Sequence, residues 1–236
     1  MNYYEVNAYI LTRRNVFEAD RIVTLYSKEM GKLSAIAKGV RLSKAKLAGN
    51  LEPFNKCKLR LVKGRNLDII IGSEPAKMHD YSKLNTDQLQ ILYLISEILN
   101  RLSAEHQSNE LAFELFSESI NALLSNANET LVAQYFGLNF LRSIGSQPEL
   151  VDTRQNTRHY LAYDSGKITF EKPNSHYGII SESTIKLWRL ILSNNLTKLQ
   201  KVTNIDEPLE QGSKLMLHYY EYHFDFKSKS LKVFQD

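Results

Sequence analysis

The segment Arg21–Ala37 reads RIVTLYSKEMGKLSAIA, and it holds two short runs of strand-forming residues on either side of a turn. Arg21–Ser27 is rich in β-branched and aromatic residues, which favour extended backbone. Lys32–Ala37 follows directly after Met30-Gly31, a pair suited to a tight turn. The stretch therefore predicts two strands of a sheet.

Three further strands are predicted within the first 80 residues. Val6–Thr12 alternates in the manner of a barrel strand whose two faces are both partly covered. Lys58–Lys63 alternates cleanly, and Gly64-Arg65-Asn66 then turns the chain into a strand over Leu67–Gly72. Five short strands separated by turns suit a small barrel of the OB type, and an SH3-like barrel fits the pattern almost as well.

Helical periodicity begins after Asp80. Apolar residues recur every three or four positions from Leu89 to Leu102, with Asn85 or Thr86 placed as the N-cap. Two more helices are predicted over Glu110–Ser125 and Glu129–Ile144, and the second of these ends at Gly145. These apolar stripes are typical of a helical core.

The helical region is interrupted once. Between Gln147 and Tyr177, Tyr160–Asp164 and Lys167–Phe170 flank Ser165-Gly166, a pattern typical of a β-hairpin. Helical patterns return over 183–192, 196–201 and 207–226. The sequence therefore predicts an α+β protein: an N-terminal OB-fold β-barrel over residues 1–80, followed by an α-helical domain over 81–236 with a small β-hairpin insertion at about 147–177.

Charge is distributed unevenly along the chain. Residues 1–80 carry 15 Lys/Arg against 8 Asp/Glu, a net charge of +7, whereas residues 81–150 carry 3 against 8. Residues 151–236 are close to balanced, with 12 against 10. The first part is thus suited to a polyanionic partner, and the middle part is not.

Many of the cations in the first 80 residues fall in predicted loops. Arg13-Arg14 follows the first predicted strand, Lys38–Lys46 lies between the third and fourth, and Lys63–Arg65 lies in a hairpin. Cations around a barrel mouth can follow a phosphate backbone while the sheet accepts bases. The alternative is a solvated basic surface without a ligand, but an excess of +7 favours nucleic-acid binding. Composition does not separate DNA from RNA, because that distinction rests on the 2′-OH.

Several classes of protein are disfavoured by the sequence. We expect a cytoplasmic protein without membrane association, since the chain has no long apolar run and its start lacks the features of a signal peptide. Cys57 is the single cysteine and is expected to be a structural thiol. Neither a phosphate-binding loop nor a catalytic motif is present, and the six histidines are scattered. We therefore predict a protein that is not an enzyme.

The stretch Glu18–Arg41 contains E-x-D, R-x-x-T-L-Y, G-K and A-K-G-x-R in this order. It closely resembles the N-terminal signature of the bacterial RecO family, and the similarity continues through Ser43-Lys44 to Leu51–Phe54. Phe136–Leu150 is similar to the family's helix that leads into an insertion. The ending, with Leu217, Tyr219 and His223 before Lys229-Ser230, is similar to the family's as well.

The resemblance implies a nucleoid-associated DNA-repair function. Such proteins bind single- and double-stranded DNA, anneal complementary strands, and act with RecR to displace single-strand-binding protein so that RecA can load. By position, the resemblance implies DNA contacts from Arg21, Lys38 and Arg41. Glu18, Asp20 and Glu52 are expected to brace strands or arginines rather than touch DNA. Charge alone adds weaker candidates for the DNA-binding residues, which are Arg13, Arg14, Lys44, Lys46, Arg60, Lys63 and Arg65.

One departure from the family concerns metal binding. Many members carry a four-cysteine zinc site in the insertion, but Val151–Asn156 and the following hairpin hold no cysteine. We therefore predict no zinc and no other cofactor, and expect packing around four aromatic side chains, Tyr160, Tyr163, Phe170 and Tyr177.

Two other functions stay open. One is a general OB-fold module that binds RNA or DNA without mediator activity. The other, less favoured, is a nucleic-acid hydrolase whose catalytic residues are distant in sequence.

Overall fold

The computed structural model describes residues 3–42, 47–77, 79–151, 158–228 and 230. The chain divides into two compact units. The barrel unit comprises Met1–Tyr81 with Ser96–Phe113, and the helical unit comprises Ser82–Ile95 with Glu114–Asp236. The domain boundary at residue 80 stays a prediction from sequence.

Five strands form the barrel unit: β1 (Tyr3–Val16), β2 (Asp20–Ser27), β3 (Gly31–Ala37), β4 (Lys56–Val62) and β5 (Asp68–Lys77). They close in the order β1-β2-β3-β5-β4, and β4 pairs back onto β1. β3 and β5 are parallel, and the other pairs are antiparallel. A five-stranded closed barrel with this order is an OB fold, which confirms the predicted class and removes the SH3-like alternative.

Strand β1 is long enough to serve two neighbours. Its first half pairs with β4 and its second half with β2, with a register shift between Ile10 and Thr12. The pairing with β2 continues through Arg13 and Arg14, which lie opposite Val23 and Ile22. The prediction that Arg13-Arg14 lies in a loop was therefore wrong, because backbone pairing carries the strand beyond its last apolar alternation.

The inside of the barrel is filled by small and branched apolar side chains from every strand. Cys57 belongs to this core; its thiol donates to the carbonyl of Asn50 at 3.1 Å, and burial raises its pKa. This environment is that of a structural thiol rather than a nucleophile. The strand residues that make up most of the core are Val6, Ala8, Ile10, Val23, Leu25, Leu33, Ala35, Leu59, Leu61 and Ile70.

Residues 96–113 cover one outer side of the barrel. The ring of Tyr9 packs on Phe113 with centroids 5.3 Å apart. The hydroxyl of Ser96 donates to the carbonyl of Leu11 at 3.3 Å, and the Nζ of Lys32 donates to the carbonyl of Asn100 at 2.8 Å. This cover leaves other parts of the outer sheet open.

Gly31 begins β3 with φ +68°, and a Cβ there would lie 1.9 Å from the carbonyl oxygen of Gln107. We expect Gly31→Ala to lower the free energy of unfolding by about 3 kcal/mol, because it combines a left-handed backbone with a backbone clash. Gly49→Ala is the control, since a Cβ at Gly49 meets nothing within 4 Å. Urea unfolding of both variants measures the difference, and equal stabilities would contradict the close approach.

The predicted helices all form, with bounds shifted by a few residues at most. The N-cap of the first helix is Asn85, whose Oδ1 accepts from the Gln88 backbone N–H at 2.8 Å while the Gln88 side chain accepts from the Asn85 N–H. None of the described helices is long and apolar enough to cross a membrane. The helices are α1 (Thr86–Leu102), α2 (Glu110–Leu124), α3 (Glu129–Ser143), α4 (Glu182–Ser193), α5 (Leu196–Leu199) and α6 (Asp206–Phe224).

A buried polar network joins α3, α4 and α6. The indole N–H of Trp188 donates to Gln134 Oε1 at 3.0 Å, and Gln134 Nε2 donates to the carbonyl of Leu209 at 2.6 Å and to Ser213 Oγ at 3.0 Å. Gly212 allows this approach, because a Cβ there would lie 2.5 Å from Gln134 Oε1. The three helices are thus fixed by one fully paired amide.

The insertion is a three-stranded sheet of β6 (His159–Ala162), β7 (Ile168–Thr169) and β8 (Tyr177–Ile180), in the order β7-β6-β8. It contains the predicted β6–β7 hairpin, whose turn has Gly166 at φ +68°. Two of the four predicted aromatic anchors meet here, since the rings of Tyr160 and Tyr177 contact edge to face at 5.3 Å. The ring of Phe170 contacts His159 at 5.2 Å, and Tyr163 is buried.

Candidate nucleic-acid interface

An apolar row crosses the outer face of the barrel from strand to strand. Ile22 lies opposite Ile36, which lies opposite Ile69 across the parallel pair. Ile69 lies opposite Val62, and Val62 lies opposite Tyr3. Cross-strand partners share a face, and the neighbours of these residues in sequence point into the core. These five partly or fully exposed side chains, with Tyr3 55% exposed, form the outer row.

A row of hydroxyls runs beside the outer row. Thr12 lies opposite Thr24, and Thr24 lies opposite Ser34, whose Oγ is 3.4 Å from the Thr24 Oγ1. Hydroxyl groups both donate and accept hydrogen bonds. This part of the sheet therefore offers contacts to phosphate, sugar or base.

Three exposed cations lie at the ends and loops of this face. Arg14 lies opposite Ile22 and extends the outer row on β1, Lys38 directly follows β3, and Arg65 lies in the loop between β4 and β5. In the described part of the chain, none of the three forms a salt bridge with a carboxylate. Their charge is therefore available to an anionic ligand.

Arg13 and Arg21 lie on the other side of the sheet, because their cross-strand partners Val23 and Ala37 are core residues. Arg13 forms a salt bridge with Glu52 at 2.7 Å, and Arg21 contacts the other Glu52 oxygen at 3.3 Å. The side chain of Arg21 is only 14% exposed. Glu52 thus braces two arginines, and Arg21 is largely committed within the protein.

Arg41 braces the turn between β1 and β2. Its guanidinium donates to the carbonyls of Phe17 at 3.4 Å and Glu18 at 3.0 Å. The carboxylate of Asp20 accepts from the Gly39 N–H at 2.7 Å, so the turn after β3 is held against the β1–β2 turn. The exposed remainder of the Arg41 guanidinium lies beside that turn.

Arg60 is partly neutralised by a carboxylate on the outer face. Glu5 contacts Arg60 at 3.0 Å and Lys58 at 2.7 Å, and these two donors hold the pKa of Glu5 below its usual value. The Arg60 guanidinium also lies 5.0 Å from the centroid of the Tyr3 ring. Glu5, Lys58 and Arg60 together carry one net positive charge, which lies next to Tyr3 at the end of the outer row.

Lys63 lies in the β4–β5 loop beside Asp68. Its Nζ is 3.2 Å from Asp68 Oδ2 and 5.0 Å from the centroid of the Tyr4 ring. The Tyr4 hydroxyl and the Gly64 N–H also donate to Asp68. Burial raises the pKa of Asp68, but these donors outweigh it and the pKa lies below the ordinary value of 3.8. Asp68 therefore organises the loop that carries Lys63 and Arg65.

The lowered pKa of Asp68 makes its contribution to stability depend on pH. The carboxylate stabilises the fold above the unfolded-state pKa, and this contribution is lost as pH falls through the folded-state value. We expect Asp68→Asn to lower the free energy of unfolding by about 2 kcal/mol at pH 7. The difference from the parent protein should shrink below about pH 4. Urea titrations at several pH values measure the difference in free energy of unfolding between the variant and the parent protein. A difference that does not change with pH would contradict the role of the Asp68 carboxylate. Glu105→Gln, at an exposed residue, is the control.

Lys44 and Lys46 lie outside the described residues. Within the described ranges, no three His, Cys, Asp or Glu side chains converge as metal ligands. The absence of zinc stays a prediction, because part of the insertion, residues 152–157, is not described.

Sequence reasoning missed the outer row. The alternating pattern indicated that each barrel strand, β1 to β5, has two faces. Because both faces carry isoleucines, the pattern did not show which face encloses the core. Register across the parallel β3–β5 pair, which joins Ile36 to Ile69, was needed to connect them.

Known proteins match this chain throughout its length. A model described as recombination protein O N terminal matches residues 1–79, and one described as recombination protein O C terminal matches residues 85–232. The DNA repair protein RecO of Desulforamulus reducens is 28% identical over 240 residues, which cover 98% of this chain and 93% of that protein.

Two further relatives carry the same name. DNA repair protein RecO of a Thermoanaerobacter species is 24% identical over 238 residues, with 98% of this chain and 96% of the relative covered. That of Heliobacterium modesticaldum is 37% identical over 152 residues, covering 64% and 54%. With both domain models matching on either side of residue 80, and an OB-fold barrel in place, the chain belongs to the RecO family of DNA repair proteins.

Proposed function

We propose that this protein binds single- and double-stranded DNA on the outer face of its barrel and anneals complementary strands. By this activity it helps RecA load onto single-stranded DNA coated with single-strand-binding protein, together with RecR, in recombinational repair of the RecF pathway. The observation that carries the proposal is the outer row flanked by Arg14, Lys38 and Arg65, none of which has a carboxylate partner among the described side chains.

The location supports a nucleic-acid ligand. OB folds bind oligonucleotides on the face of strands 2 and 3 and with the loops that join strands 1–2 and 4–5. Here that face holds Ile22 and Ile36, and the loops hold Phe17 and Arg65. Cations at both ends of an apolar face can hold phosphates while bases lie on the sheet.

Annealing by such a surface requires no bond chemistry and no catalytic group. A cationic face lowers the repulsion between two phosphate backbones, and complementary bases can then pair. The hydroxyl row and the apolar outer row provide no fixed pattern for reading bases. The surface is therefore suited to strands of any sequence, as annealing demands.

The test is annealing of complementary oligonucleotides that have been precoated with single-strand-binding protein, without nucleotide. Acceleration by this protein supports the mediator function, and addition of RecR measures its contribution. Tight DNA binding without acceleration would reduce the function to binding alone. No DNA binding would refute the proposal.

A second candidate function is favoured by the hydroxyl row. Thr12, Thr24 and Ser34 offer groups that can hydrogen-bond a 2′-OH, which is present in RNA and absent from DNA. A general OB module for RNA or DNA would use them in this way. Competition between DNA and RNA oligonucleotides of the same sequence distinguishes the two, since stronger binding of RNA supports the general module.

A further inference from the structure

Phe17 lies at the start of the turn between β1 and β2 and is 83% exposed, which makes it the most exposed large apolar side chain in the described part of the chain. Large aromatic residues are normally at least partly covered, since they contribute most to burial. The barrel core does not use this ring, because it lies beyond the last residue of β1.

The turn that carries Phe17 is held in one conformation. Phe17 has φ +50°, a left-handed backbone that side chains other than glycine rarely adopt. Arg41 donates from its side chain to the carbonyls of Phe17 and Glu18 and from its backbone to the carbonyl of Ala19 at 3.0 Å. The ring is therefore presented to solvent from a braced turn.

Cations surround the same turn. Arg14 lies three residues before Phe17 and continues the outer row, and Arg41 contacts the Phe17 carbonyl. Lys38 directly precedes Gly39, whose N–H is bonded to Asp20 at the other end of the turn. An apolar protein pocket would not complement an exposed aromatic ring on a turn that has Arg14, Lys38 and Arg41 nearby. A nucleobase with phosphates on both sides does complement it.

We propose that Phe17 stacks on an unpaired nucleobase of a strand bound to the outer face, and so holds that base away from its neighbours. The inference rests on the proposed DNA binding and assigns it a stacking residue. Stacking between a base and an aromatic ring is tolerant of sequence, which suits a protein that binds strands of any sequence. The contact requires unpaired bases, so it favours single strands over duplex.

The test compares Phe17→Ala and Phe17→Trp with the parent protein. We expect Phe17→Ala to bind single-stranded oligonucleotides about 10-fold more weakly at every salt concentration, with an unchanged slope of log affinity against log salt, because no phosphate contact is lost. Affinity for duplex should be unaffected. Leu111→Ala is the matched control, since it removes another exposed apolar side chain from the barrel unit.

Phe17→Trp gives an optical readout. Trp188 is the single tryptophan of the parent chain and is fully buried in the helical unit, so the parent protein supplies the background emission. We expect the emission of the new indole to be quenched when an oligonucleotide stacks on it. An oligonucleotide lacking bases should give no quenching and should bind the parent and Phe17→Ala equally.

Each contrary result is distinguishable. If the parent protein binds oligonucleotides but Phe17→Ala binds them equally well and the indole is not quenched, stacking is refuted and the proposed function stands. If Phe17→Ala also weakens binding to the baseless strand, the ring acts on the backbone and stacking is again refuted. If the parent protein binds no DNA, the proposed function fails and this inference with it.

Discussion

Replacing Arg14, Lys38 and Arg65 together by alanine is expected to weaken binding to single-stranded DNA about 100-fold at low salt. Each phosphate neutralised on a single strand contributes about −0.7 to the slope of log affinity against log salt, so the loss of three contacts should flatten the slope by about 2. The affinity loss should shrink as salt rises, because both effects come from counterion release. Fluorescence anisotropy across a salt series measures both.

The control removes the same charge elsewhere. Lys186 and Lys214 lie in salt bridges with Glu182 and Glu210 one helical turn away, and Lys198 is exposed on α5. Their triple alanine variant should retain the salt slope to within about one unit. A slope that is the same in both triple variants would contradict the assignment of the outer face.

Arg13 and Arg21 provide a second contrast. Because both are bound to Glu52, replacing them by alanine leaves that carboxylate without partners. We expect this pair of substitutions to affect stability more than the salt slope. A large loss of slope would restore Arg21 to the DNA-binding surface, where the family resemblance first placed it.

Gln134→Leu is expected to lower the free energy of unfolding of the helical unit by about 3 kcal/mol. The leucine would leave the indole N–H of Trp188 buried without its acceptor, which costs about 1–3 kcal/mol, and would remove the second hydrogen bond to the carbonyl of Leu209. Helices α3, α4 and α6 would also lose the side chain that joins them. Urea unfolding followed by circular dichroism measures the change.

The matched control is Gln200→Leu, at an exposed glutamine of the same unit. We expect it to change the free energy of unfolding by about 0.5 kcal/mol or less. Trp188 emission followed through the same urea titration gives an independent measure of the unfolding midpoint; each variant is referred to its own folded-state emission, because Gln134→Leu also removes the hydrogen bond of the indole. Equal stabilities of the two variants would show that the Gln134 network contributes little.

Much of the fold was predictable because local patterns agreed with the tertiary structure. Alternation in Lys58–Lys63 and the helical period in Glu129–Ile144 each matched an element of the structure, and Ser165-Gly166 marked a real turn. The third strand of the insertion, Tyr177–Ile180, was missed because four residues before a helix carry too little periodicity.

The candidate site was less predictable, because charge in a sequence does not reveal what the charge contacts. Arg14 and Arg13 are adjacent in sequence, yet strand alternation sends one to the outer face and the other to Glu52. Arg60 is likewise paired with Glu5, which is 55 residues away in sequence, and Lys63 with Asp68 across the β4–β5 loop. Only the register of the barrel separates available cations from committed ones.

Closure of the barrel also affects whether neighbouring copies of the protein can pair through their strands when they are crowded together. A sheet that ends in an exposed strand presents unpaired amides and carbonyls, to which a second chain can add its own strand. In the barrel unit β4 pairs back onto β1, so the sheet presents no such edge strand. The barrels of copies gathered side by side along one bound strand would therefore not pair strand to strand, which protects this unit from edge-to-edge aggregation at high local concentration.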